Sequence, residues 1–280
     1  MSPLLSFERQ RFWSRNLRNA AGLARLRVLE CLRKGSCRDA VGTGAGGDTT
    51  KEFDSVAEQT MISYLERLTS FTVISEETGT TQCGPNPEGF LIMDPIDGST
   101  NVSHDISFAC IAIAYGPELI FDALECAVVL DLFSGICYHA VKGQGAFRES
   151  ERIYPAEPTP LDTSLVGVDS RFPPVSLSIP SKGTDKQRVR FIRHFGANAL
   201  ELCYVADGSL DGFIDLRGVF RGTDLAAPSL ILNEAGAALL DQKGLPVKGQ
   251  CTNETHYSYL AARDESFAKN LLALASGKEE

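Results

Sequence analysis

The segment Asp94–Asn101 constrains the fold of this chain more than any other stretch. An apolar run, Gly89–Met93, precedes it and predicts a buried strand. A proline and a glycine within the segment then predict that the strand ends in a turn. The carboxylates of Asp94 and Asp97 therefore lie at a strand end, where they suit a hard cation that prefers oxygen ligands. The small and hydroxylated residues that follow predict a helix start, whose backbone N–H groups suit a phosphate.

The composition indicates an acidic globular protein. Its 280 residues suffice for one large domain or two packed halves, and 43% hydrophobic and 22% charged residues are ordinary for a globular enzyme. The net charge of −9 argues against nucleic acid as the main partner, since such binding needs a basic surface. No apolar run has membrane-spanning length, so we expect no membrane partner.

The eight cysteines form neither a C-x-x-C pair nor the spacing of a zinc site. Most of them lie in apolar runs, which predicts reduced cysteines in the core and hence a cytoplasmic protein. The arginines near the N-terminus leave two interpretations open, a basic targeting helix and a solvated surface helix, and the second is favoured.

Hydrophobic periodicity predicts an α+β first half. The predicted elements are helices over about Phe7–Lys34 and Phe53–Leu68, a strand over Phe71–Ser75, and an antiparallel meander of Phe108–Tyr115, Ala123–Leu130 and Gly135–Val141. The glycine-rich stretch Gly42–Gly47 lacks the lysine and the strand–loop–helix context of a P-loop. We therefore predict a mobile loop there, and not a nucleotide cradle.

Three prolines near residue 155 mark the boundary between residues 1–155 and residues 156–280. The second half alternates strands and helices, which predicts an α/β layer. The predicted strands are Ser164–Val168, Gly212–Leu216, Ala237–Leu240 and Tyr257–Ala261, and the predicted helices are Asn198–Ala206, Thr223–Ala235 and Glu265–Ala275. Asp185–Phe195 fits either a helix or a strand.

Two further acidic elements accompany the central segment. Glu76 and Glu77 follow a predicted strand, and Asp224 begins a predicted helix. Each has an ordinary explanation when taken alone, because loop charges are usually solvated and Asp is a favoured N-cap. Two carboxylates about 4 Å apart, however, repel by roughly 4 kcal/mol at an effective dielectric of 20. No lysine or arginine adjoins Glu76, Asp94 or Asp97 in sequence, so a divalent ion is the simplest way to let these acids converge. All-oxygen ligation favours Mg²⁺ over zinc.

Three ordered motifs resemble those of the inositol monophosphatase superfamily of Mg²⁺-dependent, lithium-sensitive sugar phosphatases. They are Ser75–Thr78 (SEET), Asp94–Asn101 (DPIDGSTN), and Thr223–Ala227 (TDLAA) with Glu234–Gly236 downstream. Within the superfamily the chain is most similar to the archaeal type that handles both inositol monophosphate and fructose 1,6-bisphosphate. That finer similarity rests on Gly196–Leu202, Asp207–Gly212 and Asp215–Arg217.

The resemblance implies a layered αβαβα sandwich, a homodimer, two to three Mg²⁺ ions per site and inhibition of the enzyme by Li⁺. The implied metal ligands are Glu76, Asp94, the Ile96 carbonyl, Asp97 and Asp224. The implied catalytic residues are Glu76, Asp54 and Ser99, which would orient a metal-activated water. The implied substrate contacts are the backbone N–H groups of Gly98, Ser99 and Thr100, together with Gly196, Ala197, Asn198 and Asp215 near the sugar.

The chain departs from the family pattern at two places. Ser99 stands where a threonine is common, and Thr223 stands where a tryptophan often precedes the last aspartate. The gap from Asp215 to Asp224 is also longer than in dedicated inositol phosphatases. Arginines suit a second phosphate, and three of them lie in or near that gap: Arg193, Arg217 and Arg221. They either bind the distal phosphate of a bisphosphate sugar or form surface ion pairs.

The resemblance thus implies Mg²⁺-dependent hydrolysis of small sugar or polyol phosphate monoesters, above all inositol 1-phosphate, fructose 1,6-bisphosphate or both. Two alternatives stay open. The first is a 3′-phosphoadenosine 5′-phosphate hydrolase, although that branch is generally longer. The second is a non-catalytic metal-binding protein that has kept the fold, although such a protein does not need the Asp54–Ser99 pair.

Overall fold

The computed structural model describes residues 3–35, 37–45, 47, 49–169 and 189–275, with side chains in the first helix from residue 6 onward. The described α-helices are α1 (Pro3–Lys34), α2 (Glu52–Leu65), α3 (Ser99–Ser103), α4 (Asn198–Ala206), α5 (Gly222–Ala235) and α6 (Glu265–Ala275). The strands of the first half are β1 (Ala40–Thr43), β2 (Thr49–Lys51), β3 (Phe71–Ser75), β4 (Gly79–Cys83), β5 (Phe90–Asp97), β6 (Cys110–Gly116), β7 (Cys126–Asp131), β8 (Cys137–Val141), β9 (Gly145–Arg148) and β10 (Glu151–Arg152). Those of the second half are β11 (Leu165–Asp169), β12 (Phe191–Arg193), β13 (Gly212–Arg221), β14 (Ala238–Asp241) and β15 (His256–Ala262).

The larger sheet has eight strands in the order β10-β9-β8-β7-β6-β5-β3-β4. Strands β6, β7 and β8 pair antiparallel, which confirms the predicted meander. Strands β3 and β5 are the parallel neighbours in this sheet. Because both run in the same direction, their carboxyl ends meet at one edge, where β3 leads into Glu76 and β5 ends at Asp97.

The smaller sheet has five strands in the order β12-β11-β13-β15-β14. Strand β11 is parallel to both β12 and β13, and β15 is antiparallel to β13 and β14. The stretch that fitted either a helix or a strand contains strand β12, Phe191–Arg193, while its residues 185–188 lie outside the described part of the chain.

The helices complete five layers. Helices α1 and α2 pack on one face of the larger sheet, α4 and α5 lie between the two sheets, and α6 packs on the outer face of the smaller sheet. Helix α5 is buried on nearly all sides, as expected for a helix enclosed by two sheets. This order of helix and sheet layers confirms the predicted αβαβα sandwich. One core cluster includes residues of both sheets, and the division near residue 155 stays a prediction.

Two helices differ from their predicted bounds. Helix α1 begins at Pro3 and not near Phe7, and α2 ends at Leu65 and not at Leu68. On α2, Leu65 is fully buried, and Val56 and Ile62 are half-buried and pack against the core. Two acids of this helix, Asp54 and Glu58, are buried as well, which hydrophobic spacing does not predict.

The glycine-rich stretch is not a simple loop, and this prediction is wrong in part. Strand β1, which includes Gly42, pairs antiparallel with β2 to form a hairpin. The hairpin is anchored on Glu77, whose carbonyl accepts a 2.8 Å hydrogen bond from Ala45 N and whose carboxylate accepts one from the Thr50 hydroxyl. Residues 46 and 48 lie outside the described part.

The prediction of reduced cysteines is wrong for one pair, because Cys31 and Cys37 form a disulfide. Gly35 adopts a φ of +79° just after α1. This left-handed conformation, which glycine allows at little cost, turns the chain back so that Cys37 meets the last turns of the helix. The other six cysteines carry free thiols, most of them buried. None of the described helices combines the length and the apolar character needed to cross a bilayer.

Candidate active site

Three carboxylates converge where the parallel strands end. One oxygen from each of Glu76, Asp94 and Asp224 lies within 4.8 Å of the others. Glu76 follows β3, Asp94 lies near the end of β5, and Asp224 lies in the first turn of α5. Asp94 is 4% exposed and Asp224 is 7% exposed. The predicted partners from distant parts of the chain are therefore brought to one point.

An irregularity in β5 aims these side chains. The pairing register between β5 and β6 shifts between Asp94 and Asp97, as in a β-bulge that redirects side chains. Gly98 follows with a φ of +92° and precedes α3. A Cβ at Gly98 would lie 3.0 Å from the Phe108 carbonyl oxygen and 3.1 Å from Ala197 Cβ. Both the backbone conformation and the close packing therefore require glycine.

The cluster is electrostatically strained. Burial raises the pKa of Asp94 well above its usual range, and the negative charges of Glu76 and Asp224 raise it further. Burial likewise raises the pKa of Asp224 to about 7, while a hydrogen bond from Thr223 opposes the shift. Like charges that are held together in a low dielectric favour a cation in their midst. The donor set, made of hard oxygen atoms, fits Mg²⁺.

Asp97 lies beside this cluster and not within it. Its Oδ2 accepts a 2.6 Å hydrogen bond from Ala199 N at the start of α4. Burial raises the pKa of Asp97 to about 7, and the backbone N–H groups of α4 oppose that shift. The Asp97 side chain lines the same cavity as the three clustered acids.

The Asp54–Ser99 contact implied by the resemblance is present. Ser99 Oγ lies 2.9 Å from Asp54 Oδ1 and 2.8 Å from the Ile96 carbonyl oxygen. Asp54 Oδ2 accepts a 2.8 Å hydrogen bond from Lys51 N. Burial raises the pKa of Asp54 to about 7, the Lys51 N–H opposes that shift, and the charge of Glu77 adds to it. The pair ties α2 to the first turn of α3.

A cavity of about 750 Å³ opens over the cluster. Among the described residues, its walls hold six acids (Glu76, Glu77, Asp94, Asp97, Asp169 and Asp224) and three basic side chains (Lys51, Arg217 and Arg221). The formal charge of the lining is therefore −3. A phosphate dianion would be repelled from such a cavity unless cations were bound first. Two divalent ions would bring the formal charge of the lining to +1.

The three arginines occupy different environments. Arg221 forms an ion pair with Glu76, and both side chains are mostly buried. Arg217 donates to Asp215 from Nε at 2.9 Å and pairs with Asp169 through Nη2. Both arginines line the cavity. Arg193 is exposed, does not line the cavity and donates to the neighbouring Ile192 carbonyl.

The residues predicted to contact the sugar separate into two groups. Gly196 and Asn198 line the cavity. Ala197 and Asp215 are fully buried behind it, and Asn198 Nδ2 lies 3.3 Å from Asp215 Oδ2. Asp215 therefore supports the wall formed by Arg217 and Asn198 and does not itself face the cavity.

Sequence reasoning missed several lining residues. Asp169 ends β11, at the same edge as the predicted acids, and its position after a predicted strand was a usable signal. His104 and Phe220 also line the cavity, but nothing in their sequence context indicated that. Asn253 does not line the cavity but contacts Ser75 and Thr223 from a loop that carries no motif.

The chain is similar in sequence to a known protein family and to characterised relatives. Residues 13–278 match the sequence model of the inositol monophosphatase family. A fructose-1,6-bisphosphatase/inositol-1-monophosphatase from Thermococcus kodakarensis is 32% identical over 267 residues, which cover 93% of this chain and 96% of that protein. A bifunctional NADP phosphatase/NAD kinase from Methanococcus maripaludis is 37% identical over 228 residues. This match covers 75% of the chain but only 40% of that relative's length.

The same architecture occurs in solved structures. The crystal structure of an inositol monophosphatase–fructose 1,6-bisphosphatase superposes with a TM-score of 0.79 at 26% sequence identity. The match covers 94% of this chain and 99% of that structure. The layered fold and the placement of its sheets are therefore shared along nearly the whole chain.

Proposed function

Because the chain belongs to the inositol monophosphatase family, we propose that it hydrolyses small sugar or polyol phosphate monoesters with Mg²⁺ as its cofactor. Relatives along nearly its full length are phosphoric monoester hydrolases by name. The observation that carries the proposal is the convergence of Glu76, Asp94 and Asp224, beside the Asp54–Ser99 pair. A binding protein would not need that pair in addition to the clustered acids.

The ligands proposed for Mg²⁺ are the carboxylates of Glu76, Asp94 and Asp224 and the Ile96 carbonyl, together with Asp97, which lines the same cavity. When bound, Mg²⁺ supplies charge neutralisation and a water of lowered pKa. The formal charge of −3 on the cavity lining supports two ions as the minimum. Two to three ions, and inhibition by Li⁺, remain part of the proposal.

The chain itself orients the reactants. Ser99 lines the cavity, its hydroxyl is held by Asp54, and the role proposed for this pair is to accept or pass on a proton of the attacking water. The backbone N–H groups of Gly98, Ser99 and Thr100 begin α3 at the cavity wall, where they suit the phosphoryl oxygens. Gly196 and Asn198 line the same cavity, and these are the residues we propose for contacts to the sugar.

Inositol 1-phosphate and fructose 1,6-bisphosphate are the substrates we propose first. Among the three arginines considered for a distal phosphate, Arg217 is the best placed. It lines the cavity, and its side chain is 26% exposed, whereas Arg221 is 14% exposed and paired with Glu76. Binding a phosphate there would require Arg217 to exchange one of its two aspartate partners.

A second candidate is removal of the 2′-phosphate of NADP. The Methanococcus maripaludis relative favours it, because its name pairs an NADP phosphatase with an NAD kinase and the matched region is 37% identical. The cavity volume of about 750 Å³ lies in the upper part of the range found for ligand sites, so a nucleotide larger than a monosaccharide phosphate fits that size.

A substrate panel tests the proposal. Phosphate release is measured for inositol 1-phosphate, fructose 1,6-bisphosphate, NADP and 3′-phosphoadenosine 5′-phosphate, each with and without Mg²⁺. We expect Mg²⁺-dependent turnover of at least one sugar phosphate and its near loss in Asp94→Asn. The surface variant Asp162→Asn serves as the matched control. Near-normal turnover in a folded Asp94→Asn variant would contradict the metal assignment, and turnover of the nucleotides alone would redirect the substrate assignment.

A further inference from the structure

The loop formed by residues 250–255, called here the Asn253 loop, lies behind the acid cluster. It is the last part of the connection from β14 to β15, and its backbone closely approaches Gly222 at the start of α5. Gly222 N donates a 2.8 Å hydrogen bond to the Thr255 carbonyl, and Cys251 N donates a 2.9 Å bond to the Leu119 carbonyl. These bonds hold the loop at both ends.

The Asn253 side chain bridges the two halves of the site. Its Nδ2 donates a 2.6 Å hydrogen bond to the carbonyl of Ser75, the residue immediately before Glu76. Its Oδ1 lies 3.0 Å from the Thr223 hydroxyl. The same hydroxyl lies 2.8 Å from Asp224 Oδ1 and can donate its single proton to either oxygen. Polar contacts therefore extend from the backbone of β3 to the carboxylate at the start of α5, and the single Thr223 proton is shared between Asn253 Oδ1 and Asp224 Oδ1.

The backbone at Gly222 is built for this contact. A Cβ added there would lie 2.5 Å from the Gln250 carbonyl oxygen and 2.8 Å from Thr252 N. Both are backbone atoms, so the loop would have to move to admit a side chain. Gly222 thus lets the loop approach α5 closely enough for Asn253 to reach Ser75.

We propose that Asn253 is a positioning residue that fixes the separation of Glu76 and Asp224 through Ser75 and Thr223. This role rests on the proposed function, since it assumes that these carboxylates bind metal. Glu76 follows a strand of the larger sheet, and Asp224 begins the helix that lies between the two sheets, so sequence proximity does not set their distance. The Arg221–Glu76 ion pair links the two elements at the cavity, and the Asn253 contacts link them a second time, through Ser75 and Thr223.

Hydrogen-bonding partners behind metal ligands commonly change metal affinity by about 10- to 100-fold when removed. We expect a loss of that size for Asn253→Ala, which removes the hydrogen bond to Ser75 and the acceptor beside the Thr223 hydroxyl, and for Thr223→Val, which removes the hydroxyl at nearly constant shape. Thr223→Ser keeps the hydroxyl and should retain affinity within about threefold. Gly222→Ala should weaken binding as well, because its Cβ displaces the loop.

The test is a titration of the protein with Mn²⁺, which prefers the same oxygen ligands as Mg²⁺. The concentration of unbound Mn²⁺ is measured from its electron paramagnetic resonance signal, which gives the dissociation constant. No substrate is present. Asn233→Ala and Thr163→Val, two exposed positions in the same half, control for the chemistry of the substitutions. Thermal unfolding of each variant shows whether the fold persists. Asn253→Ala and Thr223→Val, called here the tether variants, are independent of each other. If one of them fails to fold, the other still provides the test.

Weaker Mn²⁺ binding in the tether variants at unchanged melting temperature, together with rescue in Thr223→Ser, would support the positioning role. Equal affinities in wild type and in the tether variants would overturn that role while leaving the metal site intact. Failure of the wild-type protein to bind Mn²⁺ would overturn the metal assignment and this role with it. Activity measurements alone would not separate these outcomes.

Discussion

Removing the Ser99 hydroxyl provides a sharp test of the proposed chemistry. Ser99 Oγ lies 2.9 Å from Asp54, whose carboxyl is 1% exposed and has one other hydrogen bond, from Lys51 N. Ser99→Ala leaves one buried carboxyl oxygen without this partner. Leaving a buried polar atom unsatisfied costs about 1–3 kcal/mol. We expect the lower end, about 1 kcal/mol of unfolding free energy, because the Lys51 bond remains.

The catalytic effect should be larger than the effect on stability. If the Asp54–Ser99 pair orients the proton transfer of the attacking water, its loss should lower kcat by about 10²-fold or more, the usual contribution of a positioned acid or base. Ser99→Thr keeps the hydroxyl, adds the methyl common in the family and should retain wild-type kcat within about threefold. Ser99→Ala and Ser99→Thr therefore change the same position and differ in whether the hydroxyl is present.

The assay compares phosphate release at saturating substrate and Mg²⁺ with urea unfolding of the same preparations. The expected pattern is a large loss of kcat with a small loss of stability in Ser99→Ala, and neither loss in Ser99→Thr. A folded Ser99→Ala variant with a kcat within threefold of wild type would refute the proposed role of the pair.

Three further predictions concern other parts of the chain. Glu201 is fully buried, and burial raises its pKa from 4.5 to about 8. Between these two values the folded protein holds a proton that the unfolded chain releases. The free energy of unfolding should therefore fall as the pH rises from about 5 to 8. Glu201→Gln should flatten that dependence in urea unfolding, and an unchanged pH profile would count against the assignment. The disulfide between Cys31 and Cys37 closes a short loop, so Cys37→Ala should lower the unfolding free energy by about 2 kcal/mol; dithiothreitol should do the same to wild type, and insensitivity of wild type to the reductant would contradict this. Arg217→Ala should raise KM for fructose 1,6-bisphosphate more than for inositol 1-phosphate, and equal changes for the two substrates would argue against a distal phosphate contact.

Local patterns predicted much of the secondary structure. The bounds of α4 and α6 coincide with their predicted ranges, because both helices combine regular apolar spacing with clear ends. The meander of β6, β7 and β8 followed from long apolar runs of strand length. Short or exposed strands such as β1, β4 and β10 carry little apolar periodicity, and the sequence did not reveal them.

The candidate site was predicted in its parts and not in its arrangement. Asp94 and Asp97 were recognisable because they follow a buried strand within a specific motif. The hydrophobic pattern did not predict the buried positions of Asp54 and Glu58 on α2, because these carboxylates are held by hydrogen bonds from Ser99 and Thr78 and not by apolar burial. The Cys31–Cys37 disulfide was missed because its spacing matches no common motif.

The sequence by itself determined the kinds of groups in the site: acids at strand ends, a hydroxyl after Asp97 and glycine where a turn needs it. These signals are local, because strands and helices repeat every two or 3.6 residues. Only the tertiary structure decided which groups meet. Glu76, Asp94 and Asp224 converge because β3 and β5 run parallel and α5 is held between two sheets. Asn253 reaches Ser75 across 178 residues of sequence, a contact that depends on sheet topology and close packing, and no local pattern encodes it.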